Sequence, residues 1–417
     1  MKFPNSCLCV VALIATAAAH AATPLSLAEA QRLAARNAPQ VEAQAAVLRA
    51  AEQATIGAGQ QADPKLIVGV DNLPVGGADR FNLTRDFMTM RRIGFMQEFA
   101  RDEKLSLRTR RAEAEAGKEA ALLSVSKLNL NRDVALAWIE RYFAERQLDL
   151  LKELAREGEL QVSTAQAALA GGKGQAGDPF AARLAVAQLA DRIIDAERLV
   201  ARAQANLARW IGPAAKQPLD TPPAFDQLAH RHQELTGNLE SHPHLAMFAP
   251  LQAMADNDVK QAEAARHPDW SLEVGYQQRG PEFSNMLSVS IRIDLPIFQS
   301  RRQDPAIAGK IALAEQVRAQ AEDAKRVHTA EIENLLADWE SAKSRLQRYA
   351  SDLLPLAMDR TQATLAAYSG GKLDLGPVLD ARKGEIETRM NQLQAEADLA
   401  RGWASLNALL PDTKESK

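Results

Sequence analysis

Cysteine, aromatic residues and long apolar runs are all scarce in this chain of 417 residues, and each shortage excludes a class of protein. The two cysteines are Cys7 and Cys9, so disulfides, thiolate metal sites and a cysteine nucleophile are excluded from everything that follows them. Aromatic residues make up only 5% of the chain, which is low for a β-rich protein. The abundant residues are Ala, Leu, Gln, Glu and Arg, which are typical of long helices.

The charge balance and the absence of catalytic motifs argue against two further classes of protein, nucleic-acid binders and enzymes. Basic and acidic residues are nearly balanced, 50 against 53, whereas nucleic-acid binders usually have a basic excess, so we expect no nucleic-acid partner. The sequence contains no G-x-S-x-G, P-loop or H-E-x-x-H motif. Missing motifs do not by themselves exclude an enzyme, but long helical runs leave little room for a pocketed site, and we predict no enzymatic activity, no catalytic residue and no cofactor. No stretch after the N-terminus approaches the roughly 18 apolar residues of a transmembrane helix.

Residues 1–22 have the three parts of a secretory signal peptide. Lys2 supplies a positive start, residues 7–19 are apolar, and Ala19-His20-Ala21 is a cleavage site of the A-x-A type. The apolar part is too short to cross a bilayer as a helix. We therefore predict an exported protein that is either soluble outside the cytoplasm or held in a membrane as a β-barrel.

Prolines indicate an internal duplication, a feature to be sought before any other. Four proline pairs recur in the same order. Two pairs are 204 residues apart, Pro39 with Pro243 and Pro64 with Pro268. The other two are 198 residues apart, Pro179 with Pro377 and Pro213 with Pro411. The predicted divisions are the leader (1–22), a first repeat (23–211), a proline-rich linker (212–238), a second repeat (239–411) and a C-terminal tail (412–417).

Each repeat has the same predicted order of elements. A helix (26–61 and 239–266) is followed by two strands (65–72 with 89–99, and 270–277 with 287–295). A long helical run (101–170 and 302–369), a glycine-rich turn (171–178 and 370–376) and a last helix (179–210 and 377–410) complete it. About 68 helical residues at 1.5 Å each span roughly 100 Å, so the predicted fold is mainly α, built of long antiparallel helical hairpins with a small β part.

The strand at 287–295 alternates polar with apolar residues, which places the two kinds on opposite faces. A soluble sheet on a core and a membrane barrel both show this pattern, but few residues outside the helical runs remain to build a core. Four strands cannot close a barrel, since about eight are the minimum, so closure requires two chains or three. The candidates to line the barrel lumen are Ser288, Ser290, Arg292 and Asp294.

Within this predicted order of elements, several segments together resemble the TolC-type outer-membrane efflux proteins. They are the leader, LSLAEAQRLAARNAP (25–39), IRIDLPIFQSRRQDPAIA (291–308) and AAYSGGKLDLGPVLDAR (366–382). The resemblance implies a homotrimer with a twelve-stranded β-barrel in the lipid of the outer membrane and a twelve-helix periplasmic extension. It also implies two protein partners, an inner-membrane RND pump and a periplasmic adaptor (membrane fusion) protein.

The segment DNLPVGGADRFNLTRDFMTMRRIGFMQEF (71–99) most resembles the heavy-metal RND branch of this family, the Czc/Cus type. The function implied is a passive outlet for cations such as copper, silver, cobalt, zinc or cadmium. One alternative is an outlet for drug efflux or type I secretion. An alternative of another class is a periplasmic coiled-coil scaffold without a barrel.

Three acidic residues, Asp178, Asp374 and Asp380, lie in or just after the glycine-rich turns. Rings of acidic residues select cations in pores, and the resemblance places the aperture acids of the family in the second turn region. We therefore predict these residues at the periplasmic aperture. The structural alternative is that Asp178 and Asp374 cap the returning helices.

Histidine and methionine suggest metal ligands, but their spacing does not support a site. His230 with His232 and His242 with His244 are badly spaced for a helix, and we predict solvated structural residues. Three methionines could be soft ligands for Cu(I) or Ag(I), but they share one strand parity, and we predict simple lipid contacts instead: Met88, Met90 and Met96. No metal-binding residue is predicted.

Overall fold

The structure is a computed structural model that describes residues 24–410 except 173, 231 and 238. The predicted leader (1–22) and C-terminal tail (412–417) lie outside these residues. Within them the chain is mainly helical with one four-stranded antiparallel sheet, which confirms the predicted fold class. No helix in the described part of the chain is both long and apolar enough to cross a membrane.

The helices and strands follow one another in the predicted order. In chain order they are α1 (Leu27–Arg36), α2 (Pro39–Ala58), β1 (Lys65–Asp71), β2 (Met90–Phe99), α3 (Asp102–Ala170), α4 (Asp178–Ile211), α5 (His232–Thr236), α6 (Pro243–Ala246), α7 (Phe248–Ala264), β3 (Trp270–Gln278), β4 (Met286–Ile293), α8 (Gln303–Arg348), α9 (Leu354–Ser369) and α10 (Leu375–Asn407). A π-helical turn (Tyr349–Leu353) joins α8 to α9.

The chain packs as two compact units, and their boundaries differ from those of the predicted repeats. The repeat boundaries therefore remain a prediction. The first unit comprises the chain up to Ala34 and Ala137–Ala224. In it α4 buries a row of small and apolar residues at intervals of seven, Ala182, Leu189, Ala196 and Ala203. A seven-residue spacing keeps one seam of a helix against its neighbour, as in coiled coils.

The second unit comprises Ala35–Leu136 and Phe225–Lys417, and it contains the whole sheet. Its hydrophobic core lies between α8 and α10, where Ile332 and Leu336 of α8 pack in one cluster with Leu399 and Leu406 of α10. Leu235 of α5 is fully buried in the same cluster. Burial of one such side chain stabilises the fold by about 1.5–3 kcal/mol.

One tryptophan in each unit anchors a segment distant in sequence by a hydrogen bond to its backbone. Trp138 of α3 donates its indole N–H to the carbonyl of Leu25 over 3.0 Å. Trp339 of α8 donates to the carbonyl of Phe225, also over 3.0 Å. A buried indole needs a partner for its N–H group, and here a backbone carbonyl of the incoming chain supplies it.

The first predicted helix of each repeat is interrupted, which corrects two expectations. The segment 26–61 forms α1 and α2, because Pro39 lacks an N–H group and Ala38 takes a non-helical conformation (φ −113°, ψ 85°) before it. The segment 239–266 forms a 3₁₀ turn, α6 and α7, and Pro243 occupies the first position of α6. The long run 302–369 is likewise divided, by the π-helical turn before Pro355.

Candidate functional site

The sheet is the part of the structure whose side-chain arrangement departs from that of a soluble protein. Its strands lie in the order β1-β2-β3-β4, and β1 and β4 form the two edges. Residues that face each other across antiparallel strands share one face of a sheet. The register pairs Val289 with Val274, and Val274 with Phe95, so the apolar residues of neighbouring strands lie on one common face.

This apolar face is exposed, whereas the middle of the opposite polar face, on β2 and β3, is buried. Leu287 is 70% exposed, Val289 62% and Phe95 61%. On the polar face Glu273 is only 4% exposed and Gln277 9%. A soluble antiparallel sheet shows the reverse arrangement, with its apolar face on the core.

A row of four charged residues crosses the polar face, one from each strand. Glu273 of β3 pairs with Arg92 of β2 and accepts a hydrogen bond from Nη2 of Arg292 of β4 over 2.6 Å. Arg92 lies 3.7 Å from the carboxylate of Asp71 of β1. The charges alternate in sign along the row, and its two end members, Asp71 and Arg292, stand on the edge strands.

Two glycines make room for this row. Gly94 and Gly275 face each other in the register of β2 with β3, and they lie between the level of Arg92 and that of Glu273. A Cβ atom on Gly275 would lie 3.1 Å from Oγ of Ser288 and 3.5 Å from Nε of Arg92. The missing side chains therefore leave a groove across which Arg92 reaches Glu273.

The four predicted lumen residues all lie on β4 or directly after it. Ser288, Ser290 and Arg292 are on the polar face, and Oγ of Ser288 accepts a hydrogen bond from Nε2 of Gln277 over 2.7 Å. Asp294 lies beyond the strand, because β4 ends at Ile293 and not at 295 as predicted. Its backbone N–H donates to the carbonyl of Asp269 over 3.3 Å.

The prediction for the methionines is corrected by the register. Met90 faces Asp71 and Met96 faces Glu273, so both lie on the polar face and not on the apolar one. Sδ of Met96 accepts a hydrogen bond from Nη1 of Arg292 over 3.4 Å. Met88 precedes β2 and is exposed.

The two glycine-rich turns have the same backbone geometry, although they belong to different units. Gly172 has φ 71° and Gly371 has φ 69°, the left-handed conformation that glycine adopts without steric cost. In each turn the preceding glycine N–H donates to the carbonyl four residues before it. This is the usual way in which a helix ends before the chain reverses.

The three predicted aperture acids have different environments. Asp178, in the first unit, is buried, and its Oδ2 accepts the backbone N–H of Gln175 over 3.0 Å, which fits the structural alternative of a residue that fixes the turn. Asp374 and Asp380, in the second unit, are exposed. Asp374 occupies the N-cap position of α10. An aperture role remains a prediction for all three.

Sequence reasoning overlooked a buried acid on α10. Glu385 is 2% exposed and lies 3.0 Å from Nη1 of Arg382 and 2.8 Å from Nη2 of Arg389. Spacings of three and four residues bring side chains together on a helix. The pattern Arg-x-x-Glu-x-x-x-Arg was the signal that could have revealed this group.

The prediction of solvated histidines is wrong for two of the four. His242 is fully buried and His230 is 5% exposed, because His328 of α8 and the segment around His242 pack together. His232 is exposed, as predicted. Within residues 24–410, apart from the three positions left out, no group of three or more His, Asp or Glu residues is placed to hold a metal ion.

Comparison with known proteins finds one family similar to part of this chain. The family described as "outer membrane efflux protein" matches residues 237–411, which correspond to the predicted second repeat. No curated protein sequence matches the chain.

Solved structures are similar over almost the whole chain. CusC, whose structures concern folding and transmembrane channel formation, has a TM-score of 0.80 at 17% identity and covers 93% of both chains. The outer membrane protein VceC of Vibrio cholerae has a TM-score of 0.77 at 17% identity and covers 92% of this chain and 95% of its own. The MtrE outer membrane channel of Neisseria gonorrhoeae has 0.77 at 16% identity, with 92% and 88% covered. At these identities the likeness concerns the fold.

Proposed function

We propose that this chain is the outer-membrane channel of a tripartite efflux system, a passive duct for substrate that an inner-membrane pump and a periplasmic adaptor hand over. The single observation that carries the proposal is the inverted sheet, with an exposed apolar face and a polar face whose centre is buried. Membrane barrels have this arrangement, because lipid surrounds them and water fills them. The match of residues 237–411 to the efflux family supports it.

The edges of the sheet support closure by several copies. β1 and β4 are edge strands of the four-stranded sheet, and unpaired backbone groups cannot remain in hydrocarbon. Three copies give twelve strands, enough to leave a lumen, whereas eight strands from two copies would be filled by side chains. We therefore favour a homotrimer.

Aromatic residues at one end of the apolar face fit a membrane interface. Phe99 and Trp270 stack there with ring centroids 4.3 Å apart. Aromatic girdles flank the apolar band of outer-membrane barrels. The helix α3 has 69 residues and spans about 100 Å, much more than a bilayer, which supports a periplasmic extension of the barrel.

Within this function we propose heavy-metal cations as the substrate class. The resemblance of residues 71–99 to the Czc/Cus branch and the likeness to CusC support it. Drug efflux and type I secretion remain the alternatives. Deletion of the gene in its host distinguishes them: we expect sensitivity to metal cations without sensitivity to drugs, and the opposite pattern would overturn the substrate proposal.

Cysteine labelling tests the channel itself, because cysteine is absent after residue 9. Single cysteines are placed at Leu287, Val289 and Ile291 on the apolar face, and at Ser288 and Ser290 on the polar face. In isolated outer membranes a water-soluble maleimide should react with the polar-face positions and leave the apolar-face positions unmodified, and the unsubstituted protein gives the background.

The rival reading, a periplasmic scaffold without a barrel, predicts another labelling pattern. In that case the protein is recovered in the soluble periplasmic fraction, and the exposed apolar-face positions react at least as fast as Ser288 and Ser290. Either result would overturn the channel proposal.

A further inference from the structure

Four of the seven histidines of the chain meet in the second unit. Three come from the segment 225–247, which leads into α7, and the fourth is His328 of α8. Nδ1 of His242 lies 3.0 Å from Nε2 of His328, and the two rings meet edge to face with centroids 5.1 Å apart. The ring of His244 stacks on that of His328 at 5.6 Å.

The contact between His242 and His328 limits the number of protons that the pair can hold. A hydrogen bond between two imidazole nitrogens needs one N–H donor and one bare nitrogen as acceptor. A second proton would place two N–H groups and two positive charges 3.0 Å apart. His242 is fully buried, and water screens such a repulsion poorly there.

Nδ1 of His328 faces Glu331, but three other ring nitrogens of the cluster have no acceptor for an extra proton in the described part of the chain. Nε2 of His230, Nε2 of His242 and Nδ1 of His244 are buried and have no hydrogen-bond partner among the described residues. A proton on any of these atoms would be a buried donor with its charge uncompensated, which is costly. The cluster is therefore built for neutral imidazoles.

Charged groups around the cluster act in both directions. Glu331 lies 3.4 Å from Nδ1 of His328, and Glu234 lies 3.8 Å from Nδ1 of His230. The charge of Glu331 raises the pKa of His244, and a hydrogen bond with the backbone of Glu234 raises the pKa of His242. Arg132 of α3 disfavours a charge on His244. Lys325 and Glu240 stand 3.6 Å apart on the two facing segments and neutralise each other.

The balance of these effects is against protonation. Burial lowers the pKa of His242, and the neighbouring His328 lowers it further. Burial likewise lowers the pKa of His244, followed by His328, and the opposing effect of Glu331 does not reverse it. An open segment would expose these rings to water and restore a pKa near 6.5.

We infer that these four histidines form a proton-sensitive clamp, which holds residues 228–247 on α8 at neutral pH and releases them as the pH falls. Because the closed state lowers the pKa of His242 and His244, the open state binds more protons below pH 6.5. The stability of the clamp is therefore complete above that pH and is lost as the pH decreases below it. The inference does not depend on the proposed channel function.

The start of the same segment is held by groups that do not titrate in this range. Trp339 donates to the carbonyl of Phe225, Lys343 to that of Asp226 over 3.0 Å, and Trp403 to that of Gln227 over 2.8 Å. These bonds persist at pH 5.5. The N–H of Ala229 also donates to Oδ1 of Asn407 over 2.9 Å, and Leu235 is fully buried against α8 and α10. The largest change is therefore expected after residue 235, and the start of the linker should not be released.

Hydrogen exchange on the full-length protein in detergent, at pH 7.5 and 5.5 and corrected for the intrinsic pH dependence of exchange, tests the clamp. We expect protection of residues 232–247 to fall on the order of tenfold, the equivalent of one pKa unit, while residues 225–227 and α10 keep theirs. Equal protection of residues 232–247 at the two pH values would overturn the inference.

Substitutions identify the groups responsible. The combined substitution His242→Gln and His244→Gln removes both groups whose pKa is lowered and keeps polar side chains that take up no proton, so the pH response of residues 232–247 should largely disappear. His267→Gln is the matched control, since His267 is half exposed and lies 3.3 Å from Glu103, outside the cluster, and the response should remain. If the combined variant does not fold, His244→Gln alone replaces it, and the pH response should then be reduced. A full pH response of residues 232–247 in the combined histidine variant would contradict a proton clamp. Protection of these residues that depends on added Zn²⁺ and not on pH would contradict it as well.

Discussion

At the scale of single residues, Glu273 is the charge with the largest expected effect on the sheet. Its side chain is 5% exposed, and it pairs with both Arg92 and Arg292. Removing the acceptor from a buried charged group leaves the donors unsatisfied, which costs more than the bond itself contributes. The sheet therefore depends on this one carboxylate to hold two arginines over the polar face.

Glu273→Gln should lower the stability of the protein by about 1–3 kcal/mol, the lower part of this range being favoured because Arg292 is largely exposed. The thermal unfolding midpoint of the purified protein measures it. Glu98→Gln is the control, because Glu98 lies on the same face and pairs with Lys65 over 2.5 Å at an exposed position. That change should cost less than about 1 kcal/mol. Equal effects of the two substitutions would show that burial of Glu273 does not matter.

At the scale of elements, three helices of the second unit meet at one carboxylate. Asp258 of α7 accepts from Nε of Arg111 of α3 over 2.7 Å and from Nζ of Lys310 of α8 over 2.9 Å. Burial alone would raise the pKa of Asp258, but the bonds from Lys310 and Arg111 outweigh it and lower that pKa below its usual range. Asp258 therefore contributes stability while it is ionised.

The pH dependence of this contribution follows from the lowered pKa. The unfolded chain takes up the proton near pH 3.9, before the folded chain does, so the stabilisation is complete above that pH and is lost as the pH falls through the folded pKa. Asp258→Asn should lower stability by about 1 kcal/mol at pH 7 and by much less at pH 3, as measured by thermal unfolding.

Asp256 is the control for this prediction on the same helix. It pairs only with Arg318, over 3.0 Å at an exposed position, so Asp256→Asn should have little effect at either pH. A penalty for Asp258→Asn that is equally large at pH 3 would mean that packing, and not charge, accounts for it.

At the scale of the whole molecule, the proposed barrel makes the two faces of β4 respond differently to the same substitution. Val289 and Ser290 are neighbours in sequence but point to opposite faces. On the lipid side, Val289→Arg should destabilise the inserted barrel by about 2–4 kcal/mol near the middle of the membrane. On the lumen side, Ser290→Arg should be tolerated.

The amount of trimer extracted from outer membranes, measured by native mass spectrometry in detergent, separates the two variants. We expect three copies per particle for the unsubstituted chain and for Ser290→Arg, and a strongly reduced yield for Val289→Arg. A monomer in all three preparations would contradict the barrel.

Helices and strands with a regular spacing of apolar residues were predictable, because this spacing involves only residues that are close together in the sequence. The run 101–170 predicted α3, and alternation at 287–295 predicted β4 and the face of Ser288, Ser290 and Arg292. Prolines and glycines marked most of the ends of the helices and strands. The break at Pro39 was overlooked because the apolar pattern continues across it, although Pro39 itself is a sufficient local cause.

What the sequence by itself determined, therefore, is the order of elements and the parity of each strand, whereas the duplicated plan stays a prediction. Only the tertiary structure decided which parity is buried, that Arg92 reaches Glu273 across two glycines, and that His328 joins His242 from 86 residues away. Period and propensity act between neighbours in the chain, whereas these contacts join residues distant in sequence. Such contacts depend on strand register and helix packing, which arise only when the whole second unit has folded.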